Sequence, residues 1–221
     1  MVESALKAVL TDPVFLRVWA VAVAVSLGIL MWDLRRNNAR LGVLMRWVWG
    51  FTVLYSGPLG LCGYYYSGRA QIARDSLWRR GFRSVAHCYS GCGAGEVVGV
   101  VITAGLFSLG NWWVAGVTFA LAYASGYALT VGPLMEEGVG LKDAMRDAFY
   151  SESASITVME IVAISTDLWL SQDATMGQAL YWSSLVFSLS IGLIAAYPVN
   201  VVLIRFGVKE GMHSPKDMAA D

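Results

Sequence analysis

The chain has 221 residues, 57% of them hydrophobic and only 14% charged, with sixteen Lys and Arg balanced by sixteen Asp and Glu. Mean hydropathy is +0.56, and several apolar runs approach the ~20 residues that cross a bilayer. These values exclude a soluble globular domain, the absent net charge gives no support to a nucleic-acid partner, and three cysteines do not make a disulfide scaffold.

Met1–Pro13 is a mixed-charge lead-in. Val14–Trp32 follows as a first span, retained rather than cleaved as a leader, and its only charge, Arg17, can reach the interface. Asp33–Arg40 is a basic turn. Val43–Tyr66 reads as a second span, kinked at Pro58 and ending in an interfacial belt of Tyr64, Tyr65 and Tyr66. Ser67–Ser84 sets arginines among Leu77, Trp78 and Phe82, the pattern of an amphipathic surface helix against lipid headgroups.

Spans three and four, about Ala86–Leu109 and Trp112–Leu134, are joined at Gly110–Asn111 as an antiparallel hairpin. Glu136–Asp147 is a charged loop. Span five covers about Ser151–Leu170, span six about Ala179–Val202, and Arg205–Asp221 is a charged tail. The expected fold is therefore all-α: a polytopic integral membrane protein with six transmembrane helices in one bundle plus a short amphipathic basic connection. Residues 1–83, a four-helix core over 84–212 and a polar tail over 213–221 are its expected parts.

Six crossings put both termini on one side. The positive-inside rule makes that side the cytoplasm of a bacterial inner membrane, with twelve of the sixteen basic residues inside and Arg35, Arg36, Arg40 and Arg46 outside. The basic first turn stands against that count.

Chemistry concentrates in His87–Gly99. Residues four apart share a helix face, so His87, Gly91, Gly95 and Gly99 form one row and Cys88, Cys92 and Glu96 the next. One reading is close helix packing at Gly91, Gly95 and Gly99. The other is a ligand set of His87, Cys88, Cys92 and Glu96 held against a neighbouring helix, suited to copper, zinc or iron. A carboxylate inside a span is costly, which marks Glu96 as a functional candidate.

Span five adds Glu152, Ser155, Met159 and Glu160 on a narrow face. Spans three and five start on one side, so Glu96, about 13 Å below His87, and Glu160, about 12 Å below Glu152, share a depth. The favourable start of a helix accounts for Glu152 but not for Glu160. Asp167 approaches the opposite interface beside Trp169, and Pro198 and Asn200 of span six come near the same surface as Glu152 and Ser155.

The segment from His87 to Glu96, His-Cys-Tyr-Ser-Gly-Cys-Gly-Ala-Gly-Glu, resembles the His-Cys-x-x-Gly-Cys-x-x-Gly-Asp signature of the membrane family catalogued as domain of unknown function 4396. Ser155–Glu160 is similar to that family's Ser-Leu-Thr-Ala-Phe-Glu. Ala196–Ile204, continuing to Gly207, Lys209 and Met212, is similar to its Ser-Tyr-Pro-x-Asn-Trp-Trp-Leu-Ile and Gly-x-Lys-x-x-Met. The departures are Glu96 for Asp, Met159 for an aromatic residue and Val201-Val202 for a tryptophan pair. The resemblance implies a shared membrane fold and a His/Cys/carboxylate pattern, and no established reaction.

Three functions follow. The first binds or passes a transition metal, with His87, Cys88 and Cys92 at the entrance and Glu96, Met159 and Glu160 deeper, supported by Glu152, Ser155 and Asn200. The second is a non-catalytic structural or assembly subunit, docking on other membrane subunits or on itself within the lipid bilayer. The third is a proton-coupled carrier of a small solute relayed by Glu96 and Glu160. Enzyme motifs are mostly absent: Gly91–Gly95 lacks the Lys-Ser/Thr of a phosphate loop, and His87 with His213 does not make a bis-His heme site within one chain, which leaves single-His or His/Met ligation open.

Overall fold

The computed structural model describes residues 1–136, 138–212 and 215–216; His213 and most of the polar tail lie outside the described residues. Among these residues the chain is all-helical. Its α-helices are α1 (Val2–Thr11), α2 (Pro13–Arg36), α3 (Val43–Ser56), α4 (Pro58–Ser67), α5 (Leu77–Val100), α6 (Asn111–Glu136), α7 (Leu141–Ser171) and α8 (Ala179–Arg205). A π-helical turn over Val101–Leu106 prolongs α5. Five of them, α2, α5 with its π turn, α6, α7 and α8, are long and apolar enough to cross a membrane, the character of an integral membrane protein.

The lead-in is itself helical, and Asp12 ends it. Its carboxylate accepts the Phe15 amide at 2.7 Å and Pro13 opens α2, a cap and first-turn proline that start a new helix. Ser76 caps α5 in the same way, accepting from the Arg79 amide at 3.3 Å. The expected surface helix over Ser67–Ser84 is therefore replaced by a turn and the first two turns of α5, with Arg83 fully buried. Likewise the charged residues from Lys142 to Asp147 belong to α7 rather than to a loop.

Val43–Tyr66 is not one span. Gly57 ends α3 with φ +56°, a conformation side chains disfavour, and Pro58 starts α4 in the reverse direction. The Trp49 and Tyr64 rings then meet edge-on at 5.5 Å. A Cβ on Gly60 would lie 2.6 Å from the Thr52 carbonyl oxygen, so the two backbones touch there. At 14 and 10 residues, these helices reach only ~21 and ~15 Å, short of a bilayer.

This hairpin returns the chain to where α2 ended. Asp33 near the end of α2 accepts from Arg69 at 2.9 and 3.1 Å and from the Tyr64 hydroxyl at 2.7 Å. Arg83 near the start of α5 donates to the Met212 carbonyl at 3.0 Å, and Arg80 donates to that of Glu210. At the other end of the bundle, Gln172 beyond α7 donates to Glu3 of α1 at 2.8 Å. Helix α1 and residues 209–212 thus lie at opposite ends, not at the one end that six crossings require.

Helix α5 is the centre of the core. In its apolar window 72% of residues are buried, against 11% in α2 and 22% in α6, which leaves most of the apolar surface of those two helices exposed.

Candidate functional site

The glycine row of α5 faces α6. A Cβ on Gly91 would lie 2.8 Å from Leu129 Cδ1, on Gly95 2.5 Å from the Leu121 carbonyl oxygen, and on Gly99 2.8 Å from Thr118 Cγ2. Helix α6 supplies its own small row at the same spacing: Gly126, Ala122 and Thr118. Glycines remove the side chains that would hold two backbones apart, which is how helices pack closely in lipid. With that row committed to α6, the adjoining row of Cys88, Cys92 and Glu96 is turned toward α7.

Toward the end where α5 begins, that row meets Glu152. The carboxylate accepts from Lys209 Nζ at 2.6 Å and from Cys88 Sγ at 2.9 Å on Oε2, and from Thr130 at 3.4 Å on Oε1. Lys209 also donates to Asn200 Oδ1 at 3.1 Å and lies 3.7 Å from Cys88 Sγ. Ser84 donates to the same Asn200 oxygen at 3.1 Å, while Asn200 Nδ2 donates to Ser155 Oγ at 2.5 Å. His87, one residue before Cys88, is buried and feels the charges of Glu152 and Lys209.

Burial opposes the Lys209 ammonium, but Cys88 and Glu152 outweigh it and hold the lysine above its ordinary pKa. Glu152 stands about three turns into α7, which begins at Leu141, so the start of that helix does not account for it. Its partner is the lysine.

Deeper along the same faces, Cys92, Glu96 and Glu160 are mutual neighbours. Glu96 is 3% exposed and Glu160 0%. Oε1 of Glu96 and both carboxyl oxygens of Glu160 are buried without a hydrogen bond. The Cys92 thiol points to the Ala122 carbonyl at 3.6 Å. One step further, Asp167 accepts from Ser184 at 2.6 Å and lies on the far side of Glu96.

A small cleft with an interior volume of about 40 Å³ runs in from the end where α5 finishes and reaches Glu96. Asp167, Thr118 and Tyr181 line it, and no Lys or Arg does.

Among the described residues no group of three or more His, Cys, Asp or Glu is arranged to hold a metal ion. Around Cys88 the cause is visible, since the Lys209 ammonium fills the position between thiol, carboxylate and amide that a cation would take. Met159 is turned to α8, with its Cγ 3.1 Å from a Cβ built on Gly192.

Sequence reasoning missed Lys209, which follows the last apolar residues and reads as tail; only its place in the resemblance to Gly-x-Lys-x-x-Met marked it. It also missed Ser84 and Thr130, for which the sequence carries no signal.

No curated protein and no solved structure matches the chain. The family model of a domain of unknown function, DUF4396, matches residues 77–209, from the first turn of α5 through Lys209, and the chain belongs to that family.

Proposed function

We propose that the chain is a proton-exchanging membrane protein, the working part of a proton-coupled carrier, in which Glu96 and Glu160 take up and release a proton inside the bilayer. The observation that supports this most is a contrast along one helix. Glu152 has a lysine 2.6 Å away, whereas three carboxyl oxygens of Glu96 and Glu160 are buried without a hydrogen bond. Ionised carboxylates in a low-dielectric interior are strongly disfavoured unless compensated, and two side by side repel as well. A proton shared between them supplies the compensation, with the protonated carboxyl donating to its neighbour.

The cleft leads a proton to Glu96 from one end. From Glu160 the row continues through Cys92 and Cys88 to Glu152 and Lys209 at the other. A metal-passing role for His87, Cys88, Cys92, Met159, Glu96 and Glu160 requires Lys209 to leave Cys88 and Glu152 first. A purely structural subunit leaves the cost of two unpaired buried carboxyls without a return.

The proposal includes a topology: five crossings and a re-entrant α3–α4 hairpin. All of the sixteen basic residues except Lys7 and Arg17, fourteen in number, then gather at the end where α5 begins. The positive-inside rule makes that end cytoplasmic, and the basic turn Asp33–Arg40 no longer stands against the count. The cleft opens on the outer side of the inner membrane.

Proteoliposomes carrying a trapped pH indicator and a potassium-clamped potential test the function. Wild type is expected to pass protons at least tenfold faster than Glu160→Gln. Equal rates for the two, at equal reconstitution, refute proton exchange through this pair.

A further inference from the structure

The outer cleft is small. Its interior volume of about 40 Å³ has room for about two or three waters and excludes an organic solute. Its wall carries two carboxyls, Glu96 from α5 and Asp167 from α7, together with Asn111 and Thr118 of α6, Ser171 of α7 and Tyr181 of α8. An enclosed water needs several polar partners, and this wall supplies them.

Asp167 has no place in the exchange described so far. It lies about two turns beyond Glu160 on α7, ~10 Å further toward the outer end and on the same face, and Glu96 feels the charge of both. Asp167 is half-buried, and its Oδ1 accepts from Ser184 at 2.6 Å. Glu96 is sealed behind it, 3% exposed, with an Oε1 that has no hydrogen bond. One carboxyl thus stands toward the opening and a second lies deeper, and both border the same space.

We propose that Asp167 is the outer proton relay, taking protons from the aqueous side and handing them through water in this cleft to Glu96. This deepens the proton-exchange reading and rests on it. A hydronium ion gives its proton to the Asp167 carboxylate. The resulting acid passes that proton to a water, which gives one of its own to Glu96 Oε1 once the proton shared with Glu160 has left toward Glu152. Each O–H broken is matched by one formed, and Asp167 returns to a carboxylate. Chains of carboxyls at membrane depth serve such transfers. A lining with two carboxyls and no Lys or Arg also concentrates cations, hydronium among them, at the opening.

The titratable groups that share the cleft with Asp167 are Glu96 from α5 and Tyr181 from α8, and α6 adds none to the wall. Around Glu96 itself stand Glu160, Cys92, Tyr55 and Tyr89. A structural role for Asp167, holding α8 through Ser184, is separable from the relay. Asp167→Asn keeps the shape and an oxygen that accepts from Ser184, and loses the capacity to carry a proton.

The test follows proton flux in proteoliposomes holding the full chain, with a trapped pH indicator and a potassium-clamped potential, from neutral to acid pH on both sides at once. Asp167→Asn is expected to pass protons at least about tenfold more slowly than wild type at neutral pH. Its rate is expected to recover in proportion to hydronium concentration as pH falls, because hydronium then loads Glu96 directly. Asp167→Glu, which restores a carboxyl, is expected to regain most of the rate, and Glu160→Gln to stay slow at every pH. Should Asp167→Asn fail to fold, Ala115→Leu, which fills the cleft from α6, is expected to give the same loss at neutral pH. A wild-type rate in folded Asp167→Asn or Ala115→Leu, with Glu160→Gln slow, overturns the relay and leaves proton exchange standing. A loss in Asp167→Asn that neither acid nor Asp167→Glu relieves overturns it as well, since the residue is then structural. Equal rates for wild type and Glu160→Gln refute proton exchange itself, and the relay with it.

Discussion

Lys209 reaches back from beyond the last helix to place its ammonium 2.6 Å from Glu152 Oε2, with both side chains nearly sealed from solvent at 7% and 5% exposure. A buried pair of this kind is worth less than it costs to break, because the surviving partner keeps its charge without compensation. Lys209→Met is therefore expected to destabilise the protein by about 3–5 kcal/mol. The double variant Lys209→Met/Glu152→Gln is expected to regain most of that loss. Denaturant titration in detergent measures both, and additive losses would show that the two residues act independently.

Arg83 holds the segment that carries Lys209. It is fully buried and donates to Asp75, to the Ser67 carbonyl at 3.1 Å and to the Met212 carbonyl at 3.0 and 3.2 Å. Lysine cannot span these acceptors with one ammonium. Arg83→Lys is expected to cost about 1–3 kcal/mol through orphaned acceptors and to open the chain after Lys209 to trypsin. Unchanged resistance to trypsin would mean that the tail is held by something else.

The same contact gives a pH dependence. Burial raises the pKa of Asp75, but the hydrogen bonds and charge of Arg83 outweigh it and hold the carboxyl below its usual range. A folded value below the unfolded one, near ~3.9, means that the contribution is complete above that pH and is lost as pH falls through the lowered value. Melting curves of wild type and Asp75→Asn are thus expected to differ at neutral pH and to converge as the pH falls through the lowered value.

Hydropathy located the long helices well because it counts apolar residues, and α2, α6, α7 and α8 keep one direction from end to end. It failed at Val43–Tyr66 for the same reason: a count has no direction, and a reversal at Gly57 leaves it unchanged. Gly57, Pro58 and Gly60 were visible, but they are equally the marks of a kink. The contacts of Gly60 with Thr52 and of Tyr64 with Trp49 separate the two. The four-residue spacing of Gly91, Gly95 and Gly99 was plain, as was the adjoining row of Cys88, Cys92 and Glu96. That Lys209 would fill the space beside Cys88 was not, since pairing across 121 residues leaves no periodic trace.

Close packing of α5 on α6 separates glycines that must be glycine from those that need not be. Gly95→Ala sets a methyl 2.5 Å from the Leu121 carbonyl oxygen, whereas a Cβ on Gly116 meets nothing within 4 Å. Gly95→Ala is expected to cost at least about 1–3 kcal/mol, and Gly116→Ala to stay within about 0.5 kcal/mol of wild type. Thermal midpoints in one detergent decide this, and equal midpoints would contradict the packing described.

The re-entrant hairpin has a topological consequence. In a background lacking native cysteines, Ser4→Cys and Lys216→Cys are expected to react with an impermeant maleimide from opposite sides of sealed vesicles. Labelling of both from one side would restore the sixth crossing and remove the hairpin from the account.

The proton held between Glu96 and Glu160 is observable directly. Infrared difference spectroscopy of the full chain in lipid, across a pH titration and with exchange into D₂O, reports the carbonyl stretch of a protonated carboxylic acid. The account expects such a band at neutral pH in wild type, sensitive to deuterium, and its disappearance or displacement in both Glu96→Gln and Glu160→Gln but not in Asp167→Asn. A wild-type spectrum at neutral pH without that band, or a band that neither Glu96→Gln nor Glu160→Gln alters, would contradict it.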